Sequence, residues 1–373
     1  MNRENIRRST EPAWSTFIHA KGSRLGLPVA GNFELTARCN FRCRMCYIHD
    51  QSNMDMSAAE WVALGKEAVK RGMIFLLLTG GEPFLRPDFT EIYEELYSLG
   101  LMISINTNGS LIDDNLFAFL IKHPPTRMNI SLYGCSNEVY NRLCGVPAYE
   151  RVKENIIRLK KASIAVKINA AITPDNADDI EAIYAFGEAM QVPVTATTYM
   201  YPPVRINGCQ YGVSPARFTA EEAAAYMLKC REQYMTPEQL GNFQGELMEG
   251  DTDCAAEEGE YMRCRAGRTA FWVTWDGRML PCGMFACEGY RIADMGFDAA
   301  WQAVRAYTQT IRMPRECVGC RHKERCSACA ASVIAETGSA SVRPDYICRM
   351  TKTLWKLTEE KYGKREDATD ANQ

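Results

Sequence analysis

Short apolar runs alternate with amphipathic stretches through the first 200 residues of the chain. Residues 75–79 form a continuous apolar run, FLLLT, which is typical of a parallel strand buried on both faces. The preceding stretch opens on the capping box Ser57-Ala58-Ala59-Glu60 and is followed by Gly72, which predicts a helix. The alternation predicts strands at 33–37, 75–79, 102–107, 128–132, 166–172 and 194–199, and helices near 57–71, 88–98, 113–122, 149–162 and 178–190.

Six strands that alternate with helices predict an α/β fold with a parallel, barrel-like sheet. In such barrels, functional residues lie on the loops that follow the strands. Two unusual loops fall in that position: one carries Cys39, Cys43 and Cys46 after the first strand, and Gly80-Gly81-Glu82-Pro83 follows the second. Beyond residue 200 the pattern is less regular, although Thr219-Ala220-Glu221-Glu222 starts another helix.

Composition and charge narrow the class of protein. The chain has 373 residues, of which 46% are hydrophobic, enough for one large domain and a smaller one. A net charge of −3 without a dense Lys/Arg block gives no expectation of a nucleic-acid partner. The chain shows neither a secretory signal nor an apolar run of about 18 residues, so we expect a cytoplasmic protein without a membrane segment. The polar tail after residue 362 predicts disorder.

The 16 cysteines are clustered, which in a cytosolic protein points to metal rather than disulfides. Three lie in the opening loop and nine lie between residues 254 and 348. The remaining four are scattered and are most simply small buried hydrophobes or unreactive thiols: Cys135, Cys144, Cys209 and Cys230.

The opening loop has the spacing Cys39-x3-Cys43-x2-Cys46. Three thiolates can hold three irons of a cubane cluster and leave the fourth iron without a protein ligand. Clusters that only carry electrons normally take four cysteines, so a three-cysteine loop implies an external ligand. A zinc knuckle or a set of free buried cysteines is the alternative.

This loop, with Phe41 inside it and Tyr47 directly after it, resembles the radical S-adenosylmethionine (SAM) superfamily. Met45 departs from the pattern, since the family often places an aromatic residue before the third cysteine. The resemblance implies a [4Fe-4S] cluster whose open iron is chelated by SAM, and reductive cleavage of SAM to methionine and a 5′-deoxyadenosyl radical. It also implies a partial (β/α)6 TIM-like barrel with a lateral opening.

The same resemblance implies where SAM binds. Gly80, Gly81, Glu82 and Pro83 match the family's GGEP element, in which glycines without Cβ atoms let the backbone approach the methionine end of SAM. Ser131 resembles the residue that contacts the ribose. Strand-end or loop positions make further candidates of Tyr47, Asn108, Asn169 and, for the SAM carboxylate, Arg142. Turn formation, capping or simple solvation is the alternative role for the Asn, Ser and Arg residues.

The C-terminal cysteines resemble the SPASM extension of radical SAM enzymes over residues 260–350, which normally carries two auxiliary [4Fe-4S] clusters. The resemblance gives the first cluster Cys264, Cys282 and Cys329, with Cys254 or Cys287 as a possible fourth ligand. It gives the second cluster Cys317, Cys320, Cys326 and Cys348. Two structural zinc sites are the alternative.

Two local features bear on these clusters. The turn Asp276-Gly277 between 271–275 and 278–280 predicts a hairpin that would carry Cys264 and Cys282 toward one cluster. The family usually places three residues between the last two cysteines of the C-x2-C-x5-C-x3-C run, whereas this chain has two, which leaves open the cluster that Cys329 serves. The expected organisation is an N-terminal extension (1–30), the barrel with bridging helices (31–250), the SPASM domain (251–350), and a helix end with the tail (351–373).

The resemblance implies an enzyme that abstracts hydrogen from a peptide or protein side chain and gives an oxidative modification or crosslink, as in maturation of ribosomal peptides. A low-potential reductant such as flavodoxin or ferredoxin is the expected partner. Formylglycine formation of the sulfatase-maturase type is an alternative, although those enzymes commonly carry Asp where this chain has Gly283. Small-molecule cofactor biosynthesis and a non-catalytic iron-sulfur electron carrier are the others. About 30 residues precede the first strand, too few for a winged-helix leader-binding module.

Overall fold

The computed structural model of the chain describes residues 13–48, 54–205, 210–242, 262 and 264–363. Its strands are β1 (Ala30–Glu34), β2 (Phe75–Thr79), β3 (Met102–Thr107), β4 (Arg127–Ser131), β5 (Val166–Ala171), β6 (Val194–Thr197), β7 (Ala270–Val273), β8 (Arg278–Leu280) and β9 (Tyr290–Arg291).

The helices of the barrel region are α1 (Ala13–Leu25), α2 (Ala58–Lys70), α3 (Phe89–Ser98), α4 (Asp114–Lys122), α5 (Asn137–Cys144), α6 (Tyr149–Lys161), α7 (Ile180–Met190), α8 (Ala220–Glu232) and α9 (Pro237–Gly241). Those that follow are α10 (Ile292–Thr310), α11 (Arg315–Val318), α12 (Ala330–Thr337) and α13 (Asp345–Tyr362). Short 3₁₀ turns lie at Pro83–Leu85, Ala177–Asp179 and Lys323–Arg325.

The nine strands of the described residues form one sheet in the order β6-β5-β4-β3-β2-β1-β7-β8-β9. Strands β1 to β6 are parallel and are joined by helices, which confirms the predicted partial barrel. The predicted hairpin is also present as β7 and β8, and Gly277 in its turn has φ +80°. Unexpectedly, β7 pairs in parallel with β1, so the hairpin extends the barrel sheet instead of forming a separate one.

The outer face of the sheet holds the main hydrophobic core. Phe33 of β1 packs on Trp61 of α2, with ring centroids 5.1 Å apart, and both side chains are fully buried. Because side chains alternate along a strand, Asn32 and Glu34 project to the opposite, concave face, which we call the lumen. On β3, likewise, Ile103 and Ile105 are buried whereas Ser104 and Asn106 lie on the lumen side. The lumen is therefore lined largely by polar residues.

Most predicted boundaries lie within two residues of the observed ones, and β2 and β3 coincide with the prediction. The first strand is the exception, since it was predicted at 33–37 and is found at Ala30–Glu34. Its start carries little apolar signal because Gly31 must be small: a Cβ there would meet the Met73 sulfur and the Phe271 ring. Helix α2 has the predicted capping box between Ser57 and Glu60.

Some features lay outside the sequence prediction or outside the described residues. Helix α1 was not predicted. It packs against the N-terminal end of β2, where Trp14 and His19 stack on Phe75 at centroid distances of 5.6 and 5.5 Å. Cys209, Cys254 and the predicted disordered tail from residue 364 lie outside the described residues. Among the helices that are described, none has the length and apolar character needed to cross a membrane.

Candidate active site

The cysteine loop follows β1 and rests on the C-terminal end of α5. The backbone N–H of Arg42 donates to the Cys144 carbonyl at 2.8 Å, and that of Arg44 donates to the Leu143 carbonyl at 3.0 Å. Phe41 is buried and contacts Tyr140 edge to face. Helix α5 therefore fixes the backbone between the three cysteines.

The three thiols of this loop favour the neutral state when no metal compensates them. Burial raises the pKa of Cys39 to about 12 and that of Cys46 to about 11, and the charge of Cys43 adds to both shifts. A hydrogen bond with Cys144, followed by burial, raises the pKa of Cys43. Metal binding must therefore supply the positive charge that stabilises three thiolates here.

The donor set fits a cluster better than a single ion. The loop supplies three thiols, those of Cys39, Cys43 and Cys46. A zinc site needs four such ligands around one ion, whereas a four-iron cluster separates its thiolates across the corners of a cube. The backbone N–H of Phe41 also points to the Cys39 sulfur at 3.4 Å, which stabilises a thiolate.

The glycine pair after β2 allows a close backbone approach. A Cβ on Gly80 would meet the Thr36 carbonyl oxygen, and one on Gly81 would meet the carbonyl oxygens of Ala37 and Arg38. The Gly81 N–H donates to the Thr36 oxygen at 2.7 Å, which locks the two loops together. Close packing against the cysteine loop therefore requires glycine at both positions, independently of the predicted approach of SAM.

Glu82 is fully buried and ties the loops after β2 and β3 together. Its carboxylate accepts hydrogen bonds from Thr107 Oγ1 and the Asn108 N–H, each at 2.8 Å, and from the Phe84 N–H at 3.1 Å. Burial raises the pKa of Glu82 to about 7 in spite of these donors. Its side chain is occupied within the protein, so its structural role is to shape the loop.

Asn108 supports the cysteine loop in the same way. Its Nδ2 donates to Asn40 Oδ1 at 2.8 Å and lies 3.9 Å from the Cys39 sulfur, while its Oδ1 accepts from the Ser110 N–H at 2.9 Å. Asn40 Nδ2 donates in turn to Ser110 Oγ at 2.9 Å. Both polar atoms of the Asn108 side chain have protein partners, and its contact with SAM stays a prediction.

The other predicted SAM contacts fall into two groups. Ser131 and Asn169 are register partners on β4 and β5 and are half-buried on the lumen side. Ser131 Oγ accepts a hydrogen bond from Tyr133 at 3.1 Å. Arg142 is half exposed on α5, where its Nη2 donates to the Asp175 carbonyl at 2.6 Å. The structure therefore brings Ser131 and Asn169 together and places Arg142 of α5 against the loop that contains Asp175.

Sequence reasoning missed Asn129 on β4. Its Nδ2 donates to Asn106 Oδ1 at 2.8 Å, and its Oδ1 is buried without a hydrogen-bond partner among the described residues. A buried unpaired acceptor is costly, so this atom suits a donor on a bound ligand. Alternation along β4 could have placed Asn129 beside Ser131, because residues two apart share a face.

Sequence reasoning also missed a buried ion pair between the two cysteine regions. Arg205 Nη1 and Nη2 donate to the Glu34 carboxylate at 3.0 and 2.7 Å, and Nη1 also donates to the Gly283 carbonyl at 2.8 Å. Glu34 is 0% exposed and Arg205 10%. Tyr47 lies beside the pair, since burial and then the Glu34 charge raise its pKa. An acidic residue at the end of a barrel strand was the available signal, but it does not identify its partner.

The cysteines assigned to the first auxiliary cluster lie around a second hydrophobic core. Its buried members are Met262, Ala266, Phe285, Ile311, Ala330, Ala331 and Ile334, and Cys264, Cys282, Cys287 and Cys329 pack on it. Burial raises the pKa of Cys264 to about 11, with a further contribution from the charge of Cys329. Cys329 therefore lies with the first group, despite the short spacing before it. Its role as a ligand stays a prediction.

The four cysteines assigned to the second auxiliary cluster also lie together. Burial raises the pKa of Cys317 to about 11, and negative charges on the other three raise it further: Cys348, Cys326 and Cys320. The Cys326 sulfur accepts a hydrogen bond from Thr351 Oγ1 and the Cys320 sulfur accepts one from the His322 N–H, both at 3.4 Å. Their arrangement suits a second cluster and does not depend on the hairpin.

Comparisons with known proteins agree with this architecture. Residues 33–187 match the model of the radical SAM superfamily. The chain is 26% identical over 325 residues to an AdoMet-dependent heme synthase of Methanosarcina barkeri, covering 82% of this chain and 92% of that protein.

Two solved structures share the fold at low sequence identity. Streptococcus suis SuiB bound to its precursor peptide SuiA superposes with a TM-score of 0.66 at 18% identity, covering 92% of this chain and 83% of SuiB. The enzyme anSMEcpe with bound AdoMet and a Cp18Cys peptide gives 0.67 at 17% identity, covering 89% and 96%. The barrel, the cysteine loop and the family match lead to one conclusion: residues 33–187 form a radical SAM domain, in an enzyme that uses a [4Fe-4S] cluster and SAM, and a cysteine-rich region follows the partial barrel.

Proposed function

We propose that this enzyme removes hydrogen from a side chain of a peptide or protein and leaves an oxidised residue or a crosslink. In this proposal Cys39, Cys43 and Cys46 hold the SAM-binding cluster, and the C-terminal cysteines hold two auxiliary clusters. The bound cluster and SAM together supply the 5′-deoxyadenosyl radical that abstracts the hydrogen atom. The residues of the chain then have to position the substrate, exclude water and provide a route for the second electron.

The observation that carries the proposal is the Glu34–Arg205 pair. Glu34 projects into the lumen from β1, and the same guanidinium holds the Gly283 carbonyl, next to Cys282. Cys282, one of the cysteines assigned to the first auxiliary cluster, therefore lies close to the lumen in which the substrate would react. If Cys264, Cys282 and Cys329 hold a cluster, it would supply an acceptor for one further electron from a substrate that has lost a hydrogen atom, and a base or water would take the proton. The sum is a two-electron oxidation, as required for a modification or crosslink.

The shape of the sheet supports a substrate larger than a metabolite. The sheet is open, with β6 and β9 at its two edges, and β6 has only four residues, of which Thr197 is exposed. An open barrel lets an extended chain enter from the side instead of only through the top. Two proteins of similar fold, SuiB and anSMEcpe, have been seen with peptides bound.

A small-molecule substrate is the second candidate. The heme synthase matched above covers most of the chain, and its product is a tetrapyrrole rather than a peptide. Lys167 lies on the lumen side of β5, between the buried Val166 and Ile168, and Arg127 begins β4. Cations on this face suit the carboxylates of such a substrate.

The two candidates can be separated in one assay series. Anaerobically reconstituted protein is incubated with SAM, a reductant such as dithionite or flavodoxin, and either short peptides encoded beside its gene or an iron tetrapyrrole with propionate groups. We expect 5′-deoxyadenosine and a peptide that has lost two hydrogen atoms by mass spectrometry, with Cys43→Ala as the inactive control. Conversion of the tetrapyrrole to a new product, with every peptide unchanged, would overturn the proposal.

A further inference from the structure

A cavity of about 230 Å³ lies at the end of the sheet away from the cysteine loop. Its walls come from the last turn of α1, the turn that precedes β7, and the last two turns of α10. The first two of these segments lead into β1 and β7, which run parallel, whereas the cysteine loop follows β1. The cavity therefore lies at the N-terminal ends of these strands and is separate from the candidate active site.

Two arginine side chains that line this cavity lack an acidic partner among the described residues. Arg268 and Arg305 are both half-buried. Arg305 Nη1 has a long hydrogen bond to Gln302 Oε1 at 3.4 Å, and neither guanidinium forms an ion pair within the described part of the chain. Burial raises the pKa of Cys264 and the charge of Arg268 opposes this only weakly, so Arg268 is not paired with that thiol. The cavity therefore carries two positive charges without a counter-charge on the described residues.

Two glycines with positive φ let the walls of the cavity pack closely. At Gly26 (φ +70°) a Cβ would clash with the Arg305 guanidinium, and at Gly267 (φ +69°) it would clash with the Thr308 side chain. Trp301, which is buried in the same helix, donates its indole N–H to the Gly26 carbonyl at 2.9 Å. Arg305 and Thr308 are thus held in place by these turns, so little ordering is needed when a ligand binds.

Helices α1 and α10 both end beside the cavity, and their C-termini oppose an anion. A helix C-terminus carries roughly half an elementary negative charge on its free carbonyl groups. Some of these carbonyls have partners here: the Ser23 oxygen accepts from the Gly26 N–H at 3.3 Å, and the Gln309 oxygen accepts from Arg312 Nη1 at 2.5 Å. The two guanidinium charges outweigh the two partial charges, so the net field in the cavity favours an anion.

The donor groups and the size of the cavity narrow the class of anion. A guanidinium presents its N–H groups as a fork that binds the oxygens of a phosphate or a carboxylate in pairs. The side-chain amide of Gln309, exposed at the rim, adds a third donor group beside Arg268 and Arg305. A phosphate monoester has three peripheral oxygens for these three groups, whereas a carboxylate has two. The cavity is smaller than the about 300–1,000 Å³ of sites for drug-sized ligands, so it suits a compact group.

We propose that this cavity is a phosphate-binding site, which takes either inorganic phosphate or the phosphate group of a small metabolite. In this proposal Arg268 and Arg305 bind the phosphate oxygens from the walls, and Gln309 binds one from the rim. The inference goes beyond the proposed function, since the site is separate from the SAM site and its occupation requires no substrate.

The test is calorimetric titration of the anaerobically reconstituted full chain, freed of unbound iron, in chloride buffer at constant ionic strength. Inorganic phosphate and glucose 6-phosphate are the two probes, and acetate is the comparison anion. We expect a single saturable site for at least one phosphate probe, and weaker binding of acetate. Tighter binding of glucose 6-phosphate identifies a metabolite as the source of the phosphate group, and equal or tighter binding of inorganic phosphate identifies the free ion.

Substitutions locate the binding in this cavity. Arg268→Gln and Arg305→Gln should each weaken phosphate binding by about 10- to 100-fold, because each removes charge-assisted hydrogen bonds. Gln309→Ala changes only the exposed rim and should weaken binding by about three- to tenfold. Arg151→Gln, at an exposed position of α6, is the matched control and should bind phosphate as the parent does.

Three results overturn the proposal: no binding of either phosphate probe, binding of acetate as tight as that of phosphate, or an unchanged affinity in both arginine variants. Circular dichroism shows whether each variant is folded. Should an arginine variant fail to fold, an unchanged affinity of Gln309→Ala overturns the proposal instead.

Discussion

The opening cysteine loop and the C-terminal cysteines are supported by very different amounts of secondary structure. The loop lies between strands of a parallel sheet whose outer face is covered by helices and fully buried side chains such as Phe33, Trp61 and Leu78. Several C-terminal cysteines are carried by short elements: Cys282 follows the hairpin, Cys317 lies in the one-turn helix α11, which buries no residue, and Cys326 follows a 3₁₀ turn. Cys329 caps α12, and Cys348 lies in α13, whose Met350 and Leu354 belong to the main core. Four of the C-terminal cysteines pack on a separate core that has seven buried members among the described residues: Cys264, Cys282, Cys287 and Cys329.

This difference indicates what each metal site contributes to the fold. A site on a preformed scaffold needs the metal for chemistry, because backbone hydrogen bonds and packing already hold its ligands. A site on short elements with a small core depends on metal binding for part of its folding free energy. We therefore expect the first cluster to serve catalysis and to contribute little to folding stability. We expect the auxiliary clusters to stabilise the fold of the C-terminal region.

The largest expected effect comes from replacing one cysteine in each region by alanine. Cys43→Ala should abolish 5′-deoxyadenosine formation while the thermal midpoint and the pattern of limited proteolysis stay close to those of the parent. Cys320→Ala should keep SAM cleavage at a reduced level, lose product more severely, and expose the segment from α11 to α13 to protease. Chromatography of the nucleoside and anaerobic proteolysis measure the two effects. A Cys320→Ala protein as resistant as the parent would contradict the comparison.

The next effect tests the link between the regions. Arg205→Met leaves the Glu34 carboxylate buried without its cation, which should cost about 3–5 kcal/mol of stability. It also releases the Gly283 carbonyl, so the iron content of the auxiliary sites should fall. Anaerobic denaturation and iron analysis check both. As the control, Arg71→Met breaks an ion pair with Asp298 in which both side chains are at least half exposed, and should cost less than about 1 kcal/mol.

A pH-dependent effect tests the preformed scaffold of the first region. Glu82→Gln replaces an acceptor of the Asn108 N–H by a donor and should cost about 1–3 kcal/mol. Burial raises the pKa of Glu82 to about 7 from an ordinary value of 4.5, so the folded protein binds this proton more tightly than the unfolded chain between those values. The parent therefore loses stability relative to the variant as pH rises through that window.

The measurement is anaerobic thermal denaturation from pH 5 to 8. The amount by which Glu82→Gln is less stable than the parent, here called its stability deficit, should shrink with rising pH. Glu60→Gln serves as the control. Hydrogen bonds from Ser57 lower the pKa of this exposed carboxyl, so its contribution is lost only as pH falls below its ordinary value, and its deficit should be constant over this range. A deficit of Glu82→Gln that grows with pH would contradict the assigned direction.

The sequence predicted the local parts of this molecule and missed the long-range ones. Strands β2 and β3, the cap at Ser57 and the hairpin turn at Gly277 each depend on neighbouring residues, and they could be predicted from short patterns. The pairing of β7 with β1 joins residues about 240 positions apart. No local pattern identifies such a partner, because strand pairing depends on how the whole sheet is assembled.

The candidate site shows the same division. The cysteine loop and the glycine pair are contiguous motifs, so their residue types alone indicated the chemistry. The role of Asn108 in supporting the loop, and the pairing of Glu34 with Arg205, depend on which loops meet in space. A polar residue at a strand end signals a site, but its partner becomes known only from the fold.

The smallest expected effect concerns a single hydroxyl group beside the first auxiliary site. Tyr201 Oη lies 3.5 Å from the Cys329 sulfur and packs edge to face on Tyr199. Tyr199 is held in turn by Glu336 at 2.7 Å, to which Arg217 also donates at 2.7 Å. Once Cys329 is a thiolate ligand, the hydroxyl must be the donor. Hydrogen bonds to ligand sulfurs raise the reduction potential of a cluster, since they stabilise its more negative state.

Tyr201→Phe should therefore lower the reduction potential of the first auxiliary cluster, while the iron content stays unchanged. One hydrogen bond of about 1 kcal/mol corresponds to a shift on the order of 40 mV for a one-electron couple. A redox titration followed by electron paramagnetic resonance measures it. Tyr199→Phe is the matched control, because the Tyr199 hydroxyl bonds to Glu336 and not to sulfur, so it should leave the potential in place. Equal shifts of the reduction potential in both variants would contradict this prediction and indicate a general loosening of the C-terminal region. A shift in Tyr201→Phe alone indicates that even this weakly supported site has an ordered hydrogen-bond environment.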